Sequence, residues 1–144
     1  MFIQPCFIRK NIPELKNKLE ELGYKPFGSV KYEWDTGWGL STDNRLGEFE
    51  SFDNNGLKNI IKCESQNNKN SIDCGTNEEL FLALAALRDD TDKNQWFICI
   101  KDLETAFESF YYGDFILCKI DKFPKSDGDY FRKATVEEII EHFK

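Results

Sequence analysis

The residue types able to do chemistry are scattered along this chain, and few fall at the spacing that chemistry needs. Cys74 precedes a stretch written as a helix start, where a helix dipole can favour the thiolate and make a nucleophile. The general base is missing: the single histidine, His142, lies in the last turn of the final helical stretch. Asp90, Asp92 and Asn94 match the opening D-x-D-x-N of a calcium loop, in which alternating hard oxygens converge on one ion. The match then breaks, because Gln95 stands where the sharp turn needs glycine and Lys101 where a bidentate glutamate belongs. An acidic, solvated helix end explains the same residues. No G-x-S-x-G, H-E-x-x-H, G-x-G-x-x-G or phosphate-cradling glycine loop occurs, and no pair of carboxylates is singled out for acid/base work. The reading therefore assigns no catalytic residue, no metal and no cofactor.

Other constellations suit binding better than catalysis. Trp34 and Trp38, with Gly37 and Gly39 beside them, are a candidate ligand platform, since flat rings bury a large area at little entropic cost; packing of a small sheet is the favoured reading, because Trp34 shares its face with Val30 and Tyr32. Arg9-Lys10 and Arg132-Lys133 each precede a helix start and suit phosphate if the two junctions meet, or else blunt the ends of edge strands. The formal charge of −7 is unevenly spread: residues 1–70 carry ten basic and ten acidic side chains, residues 71–144 nine and sixteen. Such a negative field repels nucleic acid and anionic membrane and attracts a basic protein surface. The acids at helix starts have local explanations in capping and the dipole. Asp89, Asp90, Asp92, Glu104 and Glu108 are the candidates for contact with a partner.

These residues are positioned by elements whose periodicity can be read. Leu80 to Leu87 is apolar throughout, which places a helix over 76–88 at the centre of a core, with Thr76 and Glu79 as its expected capping box. Ile12, Leu15, Leu19 and Leu22 make one stripe of an earlier helix, started by Asn11 and Glu14 with Pro13 in its first turn and stopped by Gly23. From Ser29 the period becomes two, and strands near 29–35, 38–41, 47–52 and 57–64 read as a β-meander. Two buried strands, WFICI at 96–100 and FILCKI at 115–120, flank a third predicted helix from Asp102 to Gly113, whose apolar face is Leu103, Ala106, Phe107 and Phe110. A short strand at 130–133 leads to a fourth helix, capped by Thr135 and Glu138. The expected fold class is α+β, predominantly antiparallel, with about four helices.

At 144 residues the chain fits a single domain, 1–144, with the polar stretch 65–70 as a possible subdivision. No apolar run approaches a membrane span and the N-terminus lacks the features of a signal peptide, so no membrane partner is expected. The five cysteines are odd in number, widely spaced and without a C-x-x-C pair, which fits reduced, buried thiols. The expected compartment is the cytoplasm.

The segments CFIRKNIPELKNKLEELGY, DCGTNEELFLALAALRDDTDKNQWF and RKATVEEIIEHFK resemble stretches of small uncharacterised proteins of phages and mobile elements of gut Bacteroidetes. The resemblance implies a cytoplasmic accessory protein and carries no catalytic motif. The residues themselves leave three functions as expectations: a non-enzymatic interaction or inhibitor module with an acidic surface; a small-molecule or nucleotide-binding protein, with a hydrolase as one form of it; and a nucleic-acid binder acting through the neutral N-terminal half.

Overall fold

A computed structural model of the chain describes residues 2–26, 38–42, 47–53, 71–123 and 130–144, with Trp38 and residues 51–53 described by backbone alone. The chain divides into two compact units, Met1–Leu87 and Arg88–Lys144. The predicted strands at 29–35 and 57–64 and the polar stretch 65–70 lie outside the described residues.

The first unit contains β1 (Cys6–Ile8), α1 (Pro13–Leu22), β2 (Lys25–Pro26), β3 (Trp38–Ser41), β4 (Glu48–Asp53), β5 (Ile72–Asp73) and α2 (Glu78–Ala85). Its strands form one mixed sheet in the order β2-β4-β3-β1-β5. The β3–β4 hairpin read from the sequence is present, with Leu40 opposite Ser51, and β1 adds to it antiparallel with Ile8 opposite Leu40. The flanking pairs, β1 with β5 and β2 with β4, are parallel. The mixed pairing revises the expected antiparallel character for this sheet.

Both helices of this unit are held by their apolar faces. Leu15 and Leu19 of α1 are fully buried, and Gly23 ends the helix in a left-handed conformation (φ 105°) that a side chain would strain. The first helical residue is Pro13 and the N-cap is Ile12, with no side-chain cap, so Asn11 and Glu14 do not form the expected box. In α2, Phe81, Leu84 and Ala85 are fully buried and Leu80 nearly so, and Leu87, just past the end of the helix, is buried as well, as the apolar run demands. Its cap is one residue later than Thr76: Asn77 Oδ1 accepts the Leu80 N–H at 3.1 Å. The reason lies just upstream, where Asp73 Oδ1 accepts the Gly75 N–H at 2.9 Å and Gly75 turns left-handed (φ 59°), so the chain enters the helix through Asn77. Tyr24 buries its ring and donates its hydroxyl to the Ala85 carbonyl at 2.6 Å, satisfying one of the helix's terminal acceptors.

The second unit contains β6 (Trp96–Cys99), β7 (Leu103–Glu104), β8 (Ser109–Phe110), β9 (Phe115–Leu117), β10 (Phe131–Lys133) and α3 (Val136–His142). An antiparallel sheet runs β10-β6-β9, and β7 and β8 pair only with each other. The core is aromatic. Phe97 stacks on Phe123 with centroids 4.3 Å apart, and Phe131 meets Phe123 edge-on at 5.3 Å. The capping box of α3 forms as read, with Glu138 N–H on Thr135 Oγ1 (3.2 Å) and Thr135 N–H on Glu138 Oε1 (2.9 Å).

Three helices, not four, are present among the described residues, because the predicted helix from Asp102 to Gly113 is the β7–β8 hairpin. Leu103 pairs with Phe110 and Glu104 with Ser109, leaving Thr105 to Glu108 as the loop, which the bond from the Thr105 N–H to the Glu108 carbonyl closes around a tip of Ala106 and Phe107. Such tips usually need positive φ. Among the described residues Asn94 is the one non-glycine with positive φ, so this tip is made differently. The Thr105 hydroxyl takes the place of its backbone carbonyl, accepting the N–H groups of Phe107 (3.3 Å) and Glu108 (2.9 Å). At the open end Asp102, expected to cap a helix, accepts the N–H of Tyr112 at 2.8 Å instead.

Candidate interaction surface

The segment 102–114 carries four acids, Asp102, Glu104, Glu108 and Asp114, and no lysine or arginine. The hairpin splits its side chains between two sides, as a strand period of two requires. Leu103 and Phe110 are packed against the aromatic core, and Phe110 meets Phe131 edge-on at 5.3 Å. Phe107 is 95% exposed at the tip, with Tyr112 76% and Tyr111 51% exposed nearer the base. Glu104 and Glu108 are exposed on the same hairpin.

This display is held in place by backbone hydrogen bonding. The Thr105 N–H donates to the Glu108 carbonyl at 2.7 Å, closing the tip. Asp114 Oδ2 accepts the Tyr111 N–H at 2.9 Å, and Gly113, at φ 94°, donates its N–H to the Cys99 carbonyl at 2.8 Å. Two carboxylates and a hydroxyl thus fix the loop from within. An exposed ring on a fixed turn gives up little conformational entropy when it is covered.

Among the sequence-chosen acids the structure separates surface from scaffold. Asp89, Glu104 and Glu108 are exposed. Asp90 is also exposed, but Arg88 grips it through both carboxylate oxygens, at 2.8 and 2.7 Å, and holds its carboxyl well below the usual carboxylate range. Asp92 is half-buried and structural: Oδ2 accepts the Phe123 N–H at 2.8 Å and Oδ1 faces Lys133 Nζ at 3.3 Å. The oxygens of the D-x-D-x-N pattern are therefore turned to different donors, and Asn94 spends its backbone on a left-handed turn that bonds the Cys118 carbonyl. Among the described residues no group of three or more histidine, cysteine or acidic side chains is arranged to hold a metal ion.

The remaining candidates are accounted for in the same way. Cys74 is buried, and the neighbouring Cys6 thiol together with burial pushes its thiol far above the ordinary range, so it is held protonated rather than activated. His142 lies in the second unit, its ring stacked on Phe115 at 4.0 Å. Arg9 is paired with Asp73 (2.7 Å) and Lys10 with Glu78 (2.8 Å); Arg132 is paired with Glu138 and Lys133 with Asp92. The phosphate reading of these cations loses its charge. Among the described strands β10 lies at the edge of its sheet, whereas β1 is interior to its own, so the edge-strand reading fails for Arg9-Lys10. Trp34 lies outside the described residues, and Trp38 is placed by its backbone in β3.

Phe107, Tyr111 and Tyr112 are the surface residues that sequence reasoning missed, since a helix would have turned Phe107 inward. The signal was the aromatic run Phe110-Tyr111-Tyr112, which favours strand over helix. No helix among the described residues is long and apolar enough to cross a membrane. The chain matches no protein-family model, curated protein or solved structure.

Proposed function

We propose that this chain is a non-enzymatic interaction module, a cytoplasmic accessory or inhibitor protein of phage or mobile-element type, that presents an acidic surface of its second unit to a basic protein. The observation that carries the reading is the 102–114 hairpin, with four acids, no cation and exposed aromatic rings on a turn locked from within. Interfaces are enriched in aromatic residues, and a field of one sign speeds encounter with a surface of the other. The same field disfavours nucleic acid as the partner. Asp89 extends the surface; Asp90, already neutralised by Arg88, and Asp92, committed to Phe123 and Lys133, are its support.

The test is recovery of a partner from host lysate with the tagged wild-type chain, followed by association kinetics for the triple variant Asp89→Asn, Glu104→Gln, Glu108→Gln. The association rate of the wild type should fall steeply with added salt, and the variant should associate several-fold more slowly at low salt. Equal rates for the two proteins at low salt would reduce the acids to solubilising charge and end the proposal.

A further inference from the structure

We infer that Phe107 is the anchor of this interface and that its partner offers an apolar socket ringed by lysine or arginine side chains, as on a cationic amphipathic segment. The inference rests on the acidic-surface reading above and adds to it the element that docks. Three observations lead to it. Phe107 is 95% exposed, a large apolar ring with nothing of its own unit over it. Its backbone is nevertheless fixed: its N–H is bound by Thr105 Oγ1, and the neighbouring Thr105 N–H closes on the Glu108 carbonyl at 2.7 Å. The sequence next to it is Glu108 on one side and, two positions before Thr105's neighbour Ala106, Glu104 on the other, with no cation anywhere in 102–114.

Fold stability gives no reason for this arrangement. A solvated phenylalanine at a hairpin tip buries nothing in its own fold, whereas Phe110, three residues on, meets Phe131 and supports the core. Binding gives one. Interface energy concentrates in a few rigid aromatic anchors that fill pockets on the partner, surrounded by polar contacts that exclude water. The carboxylates of Glu104 and Glu108 define what surrounds such a pocket. An acidic rim would set like charges against them, whereas a basic rim is attracted to them and also lies against the ring face of Phe107 as a cation. An anionic membrane is repelled by the same acids.

The full-length chain, labelled with ¹⁵N, can be titrated with two synthetic peptides of equal length and charge, one an amphipathic lysine/leucine helix and the other lysine/serine. The lysine/leucine peptide should shift the amides of residues 104–112 and bind the more tightly. Phe107→Ser should weaken that peptide at least tenfold and leave the lysine/serine peptide unchanged, while Phe107→Trp restores the difference. Glu104→Gln with Glu108→Gln should weaken both peptides and reduce their salt dependence. If Phe107→Ser leaves the lysine/leucine peptide unaffected while the charge variant weakens it, the anchor is wrong and the acidic surface survives. If the charge variant also has no effect, both readings fall. Shifts mapping away from 104–112, or binding of the chain to zwitterionic vesicles that Phe107→Ser abolishes, would equally overturn the socket.

Discussion

Asp92 accepts the backbone N–H of Phe123 at 2.8 Å, tying the start of the second unit to a core phenylalanine thirty-one residues later in the chain. The other oxygen of the same carboxylate faces Lys133 Nζ at 3.3 Å. Removing it leaves a partly buried N–H without its acceptor and takes the counter-charge from an ammonium that keeps the Arg88 and Thr91 carbonyls at 3.5 Å. Asp92→Ala should therefore lower unfolding free energy by about 1–2 kcal/mol, measured by urea denaturation. Asp90→Asn, at an exposed pair with Arg88, should leave the midpoint where it is. Equal midpoints for Asp92→Ala and wild type would show that the bond to Phe123 contributes nothing net.

Stability should also carry a signature of Glu138 in acid. The hydrogen bond from Arg132, with those from Thr135, lowers its carboxyl from the ordinary 4.5 to about 2. A carboxylate depressed in the folded state stabilises fully above its unfolded value and loses that contribution as pH falls towards the folded one. The gap in urea midpoint between wild type and Glu138→Gln, present at neutral pH, should close between about pH 4.5 and about pH 2. A gap that stayed constant across that range would assign the loss to capping geometry rather than charge.

The hairpin predicts opposite behaviour for two phenylalanines three residues apart. Phe107→Ser should change stability by less than about 0.5 kcal/mol, as an exposed substitution does. Phe110→Ala should cost about 2 kcal/mol through lost burial and the edge-on contact with Phe131. Were 102–113 a helix with its apolar face inward, both would be costly, so the pair of thermal unfolding curves discriminates between the two conformations.

Helix α2 should depend on its true cap. Asn77→Ala removes the acceptor of the Leu80 N–H and should cost about 1 kcal/mol. Thr76→Ala should be close to neutral. The reverse order would restore the capping box that the sequence suggests.

Four thiols should be silent in the folded chain. Cys6, Cys74, Cys99 and Cys118 are all buried, and Sγ of Cys99 and Cys118 donate to the carbonyls of Lys101 and Ile120 at 3.0 and 3.1 Å. A maleimide added to the native protein should leave these four unmodified by peptide mapping and label them in denaturant. Labelling of Cys74 in the native state would contradict the packed junction ahead of α2.

What could be read in advance follows the range of the physics. Leu15 and Leu19 in α1, the apolar run of α2, the β3–β4 hairpin and the Thr135–Glu138 box are local patterns, and they were legible. The pairing of β1 with β5 and of β2 with β4 joins distant segments and leaves no mark in either. The 102–113 error has a sharper cause. Leu103 and Phe110 lie seven apart, which is one face of a helix, and they are also cross-strand partners in a hairpin with a two-residue tip. The two conformations differ at Phe107, and the deciding group, the Thr105 hydroxyl, acts through geometry that spacing does not record. Glu104 and Glu108 could be chosen from charge, while the ring between them could not.

The interior position of β1 has a consequence for biosynthesis. It leaves the ribosome before the other strands of its sheet, yet its neighbours are β3, which follows much later, and β5, later still, beyond which Cys74 N–H bonds the Phe7 carbonyl at 2.8 Å. Until β5 and α2 emerge, a strand of three buried residues, Cys6, Phe7 and Ile8, waits with an open side. Non-local closure of this kind slows folding and exposes an unpaired edge. Chains arrested before residue 71 should accordingly be held by chaperones and cut readily by protease, with resistance appearing abruptly once α2 has been made.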